Sequence, residues 1–334
     1  MTGPTVPALP SPDELLARAN VVAIPMRVRF RGVTTREAVL IEGPSGWGEF
    51  SPFVEYDDAE SSRWLAAGLE AAYAAWPAPV RDVVPVNATV PAVRPDEVEA
   101  VLARFDGCTT AKVKVAEVGQ SLADDVDRVA AVRAAMGSSA RVRVDANGGW
   151  DLETAVAALG RLAAYDLEYA EQPCARVEDL ATLRKSLARK GIDVPVAADE
   201  SIRKADDPLR VAQLEAADLV VVKVAPLGGV SRALEIVDAC GLPAVVSSAL
   251  DTSVGIAAGV ALAAALPSLD HACGLGTVGL FTRDVASVPL RPVGGELRPV
   301  RPAVDRESLT ALAAPADRQH WWRERLVRCL ALLE

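Results

Sequence analysis

The sequence is poor in lysine. Of 35 basic residues only six are lysine, namely Lys112, Lys114, Lys185, Lys190, Lys204 and Lys223; the remainder are arginine. Arginine supplies ordinary positive charge here, whereas a lysine can lose its proton when its surroundings lower its pKa. Half of the lysines stand in apolar, strand-like runs, a placement that suits chemistry better than solubility. Histidine is scarcer still, with only His271 and His320, so a histidine-based zinc site has too few ligands. Five scattered cysteines without a CxxC pair argue against a disulfide framework and fit a reducing cytoplasm. Long charge-free apolar runs are missing too. The richest stretch, Val254 to Leu266, is Ala-heavy and flanked by Asp251 and Pro267, which reads as a buried helix and not a membrane span. The first residues lack the basic start and apolar core of a secretory signal. A formal charge of −10 with dispersed arginines argues against nucleic acid. The sequence does not fix the oligomeric state; a monomer is the expectation.

From about Pro85 onward, β-like runs alternate with amphipathic helical runs. The strand candidates are "PVNATV" (85–90), "AKVKV" (111–115), "RVRVD" (141–145), "LEYAE" (167–171), "VPVAAD" (194–199), "LVVVKV" (219–224), "AVVSS" (244–248) and a weak "ACGLG" (272–276). Helical patterns such as "SLADDVDRVAAVRAAMG" end on Gly137, and "VSRALEIVDACG" ends on Gly241 with Pro243 beyond it. This rhythm predicts an α/β fold, a TIM-like (β/α)8 barrel over residues 85–287. An open doubly wound sheet competes, but no glycine fingerprint follows its first strand. Residues 1–84 read as a separate α+β module: two strands around the turn "RGVT", then "SGWGEF", then a long helix. The segment 288–334 is rich in proline and arginine and ends in a helix. It should return to the N-terminal module.

In such a barrel the site forms at the C-terminal ends of the strands. There the sequence puts Lys112, Lys114, Asp145, Glu171, Asp199, Lys223, Ser247 and Ser248. Successive site positions lie about one βα unit apart, so each should stand on its own strand and face a common mouth. Three carboxylates converging without histidine or cysteine point to Mg2+, with Mn2+ possible. A single strand-end carboxylate is better read as a helix cap; three in consecutive units are not. Like charge and burial lower a lysine pKa and make a neutral amine available as a base. A metal beside a substrate carboxylate makes the α-proton removable.

The motifs "KVK" (112–114), "VDANGGW" (144–150), "EQP" (171–173), "ADES" (198–201) and "VVKVAPLGGV" (221–230), in this order, resemble those of the enolase superfamily, specifically its muconate-lactonising subgroup. "GWGEFSPFVEYDD" (46–58) is similar to that family's capping loop. The resemblance implies a capping domain built from both chain ends. It implies that Asp145, Glu171 and Asp199 bind the metal, with Asn147 and Glu200 supporting them. Lys114 and Lys223 would face opposite sides of the substrate, and Lys112 would tune Lys114. Within the subgroup the chain most resembles the dehydratases of menaquinone synthesis, through its residues 30–58, "SSALDTSVG" (247–255) and "GLGTVGLFTRDV" (274–285). The implied small-molecule substrate is 2-succinyl-6-hydroxy-2,4-cyclohexadiene-1-carboxylate. Lys114 would remove its α-proton to give an enediolate and then protonate the leaving hydroxide, while Lys223 stays an ammonium. Ser247, Ser248, Gly274 and Gly276 are candidates for holding the succinyl tail.

N-acylamino-acid racemisation is the main rival, because two opposed lysines suit proton exchange on opposite faces. A muconate-type cycloisomerase uses the same catalytic residues. A dipeptide epimerase would carry an Asp-x-Asp where this chain reads "GLGTVG". A non-catalytic barrel would have lost a ligand or a lysine, and none is lost.

Overall fold

The computed structural model describes residues 9–30, 32–203 and 208–333. The first eight residues, Arg31 in the expected "RGVT" turn, Lys204 and the final residue lie outside the described residues. Strands β1 (Ala19–Phe30), β2 (Val33–Gly43) and β3 (Gly46–Phe50) form an antiparallel sheet in that order. Helix α1 (Asp58–Tyr73) starts at Asp57, whose carboxylate accepts the Glu60 N–H at 2.7 Å. It buries Trp64 and Leu65 completely.

The parallel sheet contains β4 (Ala88–Val90), β5 (Thr110–Lys114), β6 (Arg141–Asp145), β7 (Leu167–Glu171), β8 (Val196–Ala198), β9 (Leu219–Lys223) and β10 (Ala244–Ser247), neighbours in sequence order. Parallel strands need crossovers, supplied among others by α2 (Leu122–Met136), α3 (Leu152–Leu162), α4 (Val177–Lys190), α5 (Val230–Cys240) and α6 (Ser253–Ala265). Helices outside and side chains inside bury both faces, which is why runs such as "LVVV" (219–222) and "AVV" (244–246) are continuously apolar. The expected eighth strand is not one. Residues 273 and 274 make single parallel bridges, Ser247 to Gly274 on one edge and Val86 to Cys273 on the other. The segment closes the ring with two residues, too few for a ladder. Tyr169, Ala197, Leu219, Val221 and Val245 pack together inside the ring, below its charged upper rim.

The last helix, α7 (Ala316–Leu330), lies against the antiparallel sheet. Trp322 is fully buried there, edge-on to Phe50 with ring centroids 5.8 Å apart, and its indole N–H donates to Glu37 at 2.8 Å. Arg325 donates to the carbonyls of Phe53 and Tyr56. Helix α6 is buried along almost its whole length. Among the described residues no helix is long and apolar enough to cross a membrane.

Candidate active site

Register builds the site. Lys114 pairs with Asp145, and Asp145 with Glu171, so three neighbouring strands end on charged residues at one level. Glu171 pairs with Ala197, which puts Asp199 two residues farther along; Lys223 pairs with Ser247. All six charged groups, Lys112, Lys114, Asp145, Glu171, Asp199 and Lys223, are buried.

Each carboxylate takes an ammonium group. Lys112 Nζ donates to both oxygens of Glu171, at 2.8 and 2.9 Å, and lies 3.1 Å from Asp145 Oδ2. Lys114 Nζ donates to Asp145 Oδ2 at 2.5 Å and to Asn147 Oδ1 at 2.6 Å. Lys223 Nζ donates to Asp199 Oδ2. Asn147 passes the contact on, donating from Nδ2 to Glu200 Oε1 at 3.2 Å.

The two neighbouring lysines are pushed in opposite directions. Burial alone would lower the pKa of Lys112, but the Glu171 and Asp145 carboxylates override it and raise it. For Lys114 burial wins, aided by the Lys112 ammonium, and its pKa falls. Burial also raises Glu171 to about 7, with the Asp145 and Asp199 carboxylates as further causes. Asp145 goes the other way: burial opposes ionisation, yet Lys114 and Lys112 hold it well below the usual carboxylate range.

A small cavity opens onto the three lysines. Lys112, Lys114, Asn147, Lys223, Ser247, Ser248 and Gly274 line it. Ser248 Oγ donates to the Gly274 carbonyl at 2.8 Å and lies 2.9 Å from Thr277 Oγ1. Gly274 is a packing requirement, since a Cβ there would stand 2.4 Å from Ser247 Oγ. Gly276 does not join the cavity wall; it lies against the Asn87 carbonyl and the Phe105 ring. Six further wall residues, Thr89, Ala249 and Leu250 included, escaped the reading of the sequence as site residues, although Phe30 and Phe53 lie in the segments 27–36 and 50–56 from which substrate choice is expected to come. Phe30 has its ring centroid 5.3 Å from Lys114 Nζ, Phe53 lies on the same wall, and Thr277 meets Ser248. Gln172 also escaped it, although it is the middle residue of "EQP". Its Oε1 accepts the backbone N–H groups of Asp199 at 2.9 Å and Ser201 at 3.1 Å.

With this geometry in place, two family models match the chain. Residues 21–72 match the enolase N-terminal domain-like family and residues 96–302 the enolase C-terminal domain-like family. The chain belongs to the enolase superfamily. Curated o-succinylbenzoate synthases are similar over the full length. That of Mycolicibacterium smegmatis is 61% identical, covering 98% of this chain and 99% of the relative. That of Mycobacterium tuberculosis is 59% identical, covering 98% of each. Among solved structures, muconate lactonizing enzyme from Pseudomonas fluorescens superposes with a TM-score of 0.73 at 21% identity, covering 89% of this chain and 98% of that one. N-succinyl Arg/Lys racemase from Bacillus cereus superposes with a TM-score of 0.71 at 20% identity, covering 89% and 97%. Likeness at that identity concerns the enolase-superfamily fold.

Membership in the superfamily implies a divalent metal. The donor set suits one: three buried carboxylates from consecutive strands, all oxygen, the ligand type that hard cations take. Among the described residues no three such groups already converge as a metal cage, because each site carboxylate holds an ammonium group instead.

Proposed function

We propose that this protein is a metal-dependent dehydratase that converts 2-succinyl-6-hydroxy-2,4-cyclohexadiene-1-carboxylate to o-succinylbenzoate. The observation that carries the reading is 59–61% identity to o-succinylbenzoate synthases over 98% of the chain. The three lysines that line one cavity, each paired with a buried carboxylate, supply the chemistry.

Asp145, Glu171 and Asp199 would hold the cation, and Mg2+ is the choice that all-oxygen donors favour. Once bound, it would supply positive charge that makes the α-proton of a carboxylate more acidic. Lys114 is the base in this reading, because burial lowers its pKa and so raises its neutral fraction. It takes the α-proton and then returns it to the departing hydroxide on the same face, a syn elimination. Lys112 stays charged between Glu171 and Asp145 and keeps the Lys114 proton loose. Lys223 stands three strands away from Lys114's neighbour β6, across the ring, where its ammonium faces the developing enediolate. An ammonium over the ring's π-face adds a cation–π attraction. Ser247, Ser248 and Gly274 form the wall available to the succinyl tail.

The test is the loss of the cyclohexadiene absorbance with purified protein and Mg2+, beside a chelated control. Rapid chelator-sensitive loss is the expected result. No loss from folded protein would overturn the reading and turn attention to N-acylamino-acid racemisation.

A further inference from the structure

The cavity wall formed by residues 247–250 continues into a tight segment, 249–252, before α6 begins. Leu250 sits in it with φ +62°, a conformation a leucine rarely adopts. Such a bend persists only where surrounding contacts over-determine it. Those contacts come from the antiparallel sheet, more than 190 residues away in sequence.

Two buried side chains make them. Arg36 on β2 donates Nε to the Leu250 carbonyl at 3.0 Å and Nη2 to the Ala249 carbonyl at 3.2 Å. Nη2 also reaches the Ser51 carbonyl. Its guanidinium stacks on the ring of Phe53, 4.6 Å from the centroid, and Phe53 lines the active-site cavity. Glu49 on β3 reaches the start of α6. Its Oε2 accepts the N–H groups of Thr252 and Gly255, both at 3.0 Å, and the Thr252 hydroxyl at 2.6 Å. Ser51 Oγ donates to its Oε1 at 2.7 Å. A helix N-terminus has N–H groups without intrahelical partners and favours negative charge. Here a carboxylate from another part of the chain takes that place. Gly255 leaves the room for it, since a Cβ there would stand 2.9 Å from Glu49 Oε2.

We infer that Arg36 and Glu49 are positioning residues: a two-point latch through which the N-terminal sheet sets the cavity wall at residues 247–252. Neither touches the reacting atoms. The latch acts on binding, because it holds the wall that the substrate tail meets while leaving Lys114 and its carboxylate partners on their own strands. This role in turnover rests on the dehydratase reading; the latch itself does not.

Two measurements separate them. In hydrogen–deuterium exchange on the free protein, Glu49→Gln turns an NH2 group toward donors and should speed exchange at Thr252 and Gly255, the two N–H groups that Glu49 holds, at least tenfold. In turnover the same variant should raise KM about tenfold and leave kcat within threefold, with Glu49→Asp restoring part of the loss. Exchange at the wild-type rate in folded Glu49→Gln overturns the latch, whatever the substrate. Faster exchange with unchanged KM, or with a fall in kcat alone, overturns its role in binding. A wild-type protein inactive on the cyclohexadiene overturns the dehydratase reading, and exchange still decides the latch. If Glu49→Gln does not fold, Ser51→Ala, which removes the hydroxyl that holds Glu49 Oε1, should still speed exchange at Thr252 and Gly255 about threefold; an unchanged rate overturns the proposal.

Discussion

Two of the buried charge clusters in this protein are built to opposite ends. One is the rim of three lysines and three carboxylates. The other lies around Arg143, one step down β6 from Asp145. Arg143 is fully buried and donates to Glu168 at 2.8 Å, to the Tyr169 hydroxyl at 2.8 Å and to the Ala272 carbonyl at 2.8 Å. His271 lies 2.8 Å from the other Glu168 oxygen. Burial would raise the Glu168 pKa, but the contacts to His271 and Arg143 bring it down to about 2. In this cluster partners stabilise the ionised forms. On the rim the same kinds of group leave Lys114 lowered and Glu171 raised to about 7. Perturbation of that sort stores reactivity; the Arg143 cluster stores stability.

The sharpest way to break the contrast is one substitution in each cluster. Lys114→Ala should reduce turnover by roughly 10³-fold or more, within the range of a lost acid–base group. Divalent-cation binding, followed by calorimetry, should persist; retained turnover would remove Lys114 as the base. Arg143→Met should do the reverse. It leaves the half-buried Glu168 with His271 and the exposed Arg141 as its remaining partners, a loss of about 1–3 kcal/mol in denaturant unfolding, with kcat per folded molecule within threefold of wild type. A stable Arg143→Met protein that has lost turnover would erase the distinction.

Acid titration sharpens it further. Glu168 ionises near 2 when folded and near 4.5 when unfolded. Its contribution to stability is therefore complete above about 4.5 and lost as pH falls toward 2. The shift corresponds to about 3 kcal/mol. Glu168→Gln should flatten the unfolding free energy across that window. A slope equal to wild type would mean that the acid sensitivity comes from elsewhere.

How far the sequence could be read follows from what shapes each part. "RVRVD" and "LEYAE" match β6 and β7 residue for residue, because each is a short run with apolar residues bounded by turn signals. The rim charges were legible from their place at or near the ends of such runs, repeated once per βα unit. Gly276 was extrapolated from a strand that is only a two-residue bridge, so the position failed to carry over. Phe30 ends β1 and Phe53 lies in the loop beyond β3; both reach the cavity from the N-terminal part of the chain, and no local period records such an approach. Arg143 is one more strand residue in the sequence; its place is revealed by the Ala272 carbonyl it donates to and by His271 on the far side of Glu168, both more than 100 residues away.

The smallest expected effect tests whether rim geometry also depends on a neutral side chain. Gln172 follows Glu171 with φ +38°, which turns its amide away from the strand direction and toward the next strand's end. Its Oε1 fixes the backbone N–H of Asp199, and its Nε2 donates to the Cys174 carbonyl at 2.9 Å and to Ser201 Oγ at 2.8 Å. One uncharged group thus ties the end of β7 to the residue that carries the third carboxylate. Supporting groups of this kind typically alter metal affinity more than chemistry. Gln172→Ala should weaken divalent-cation affinity roughly tenfold, while kcat at saturating cation stays within threefold. Unchanged affinity would mean that Asp199 is set by its Lys223 partner alone, and the rim would then be ordered by its charges without help from the backbone between them.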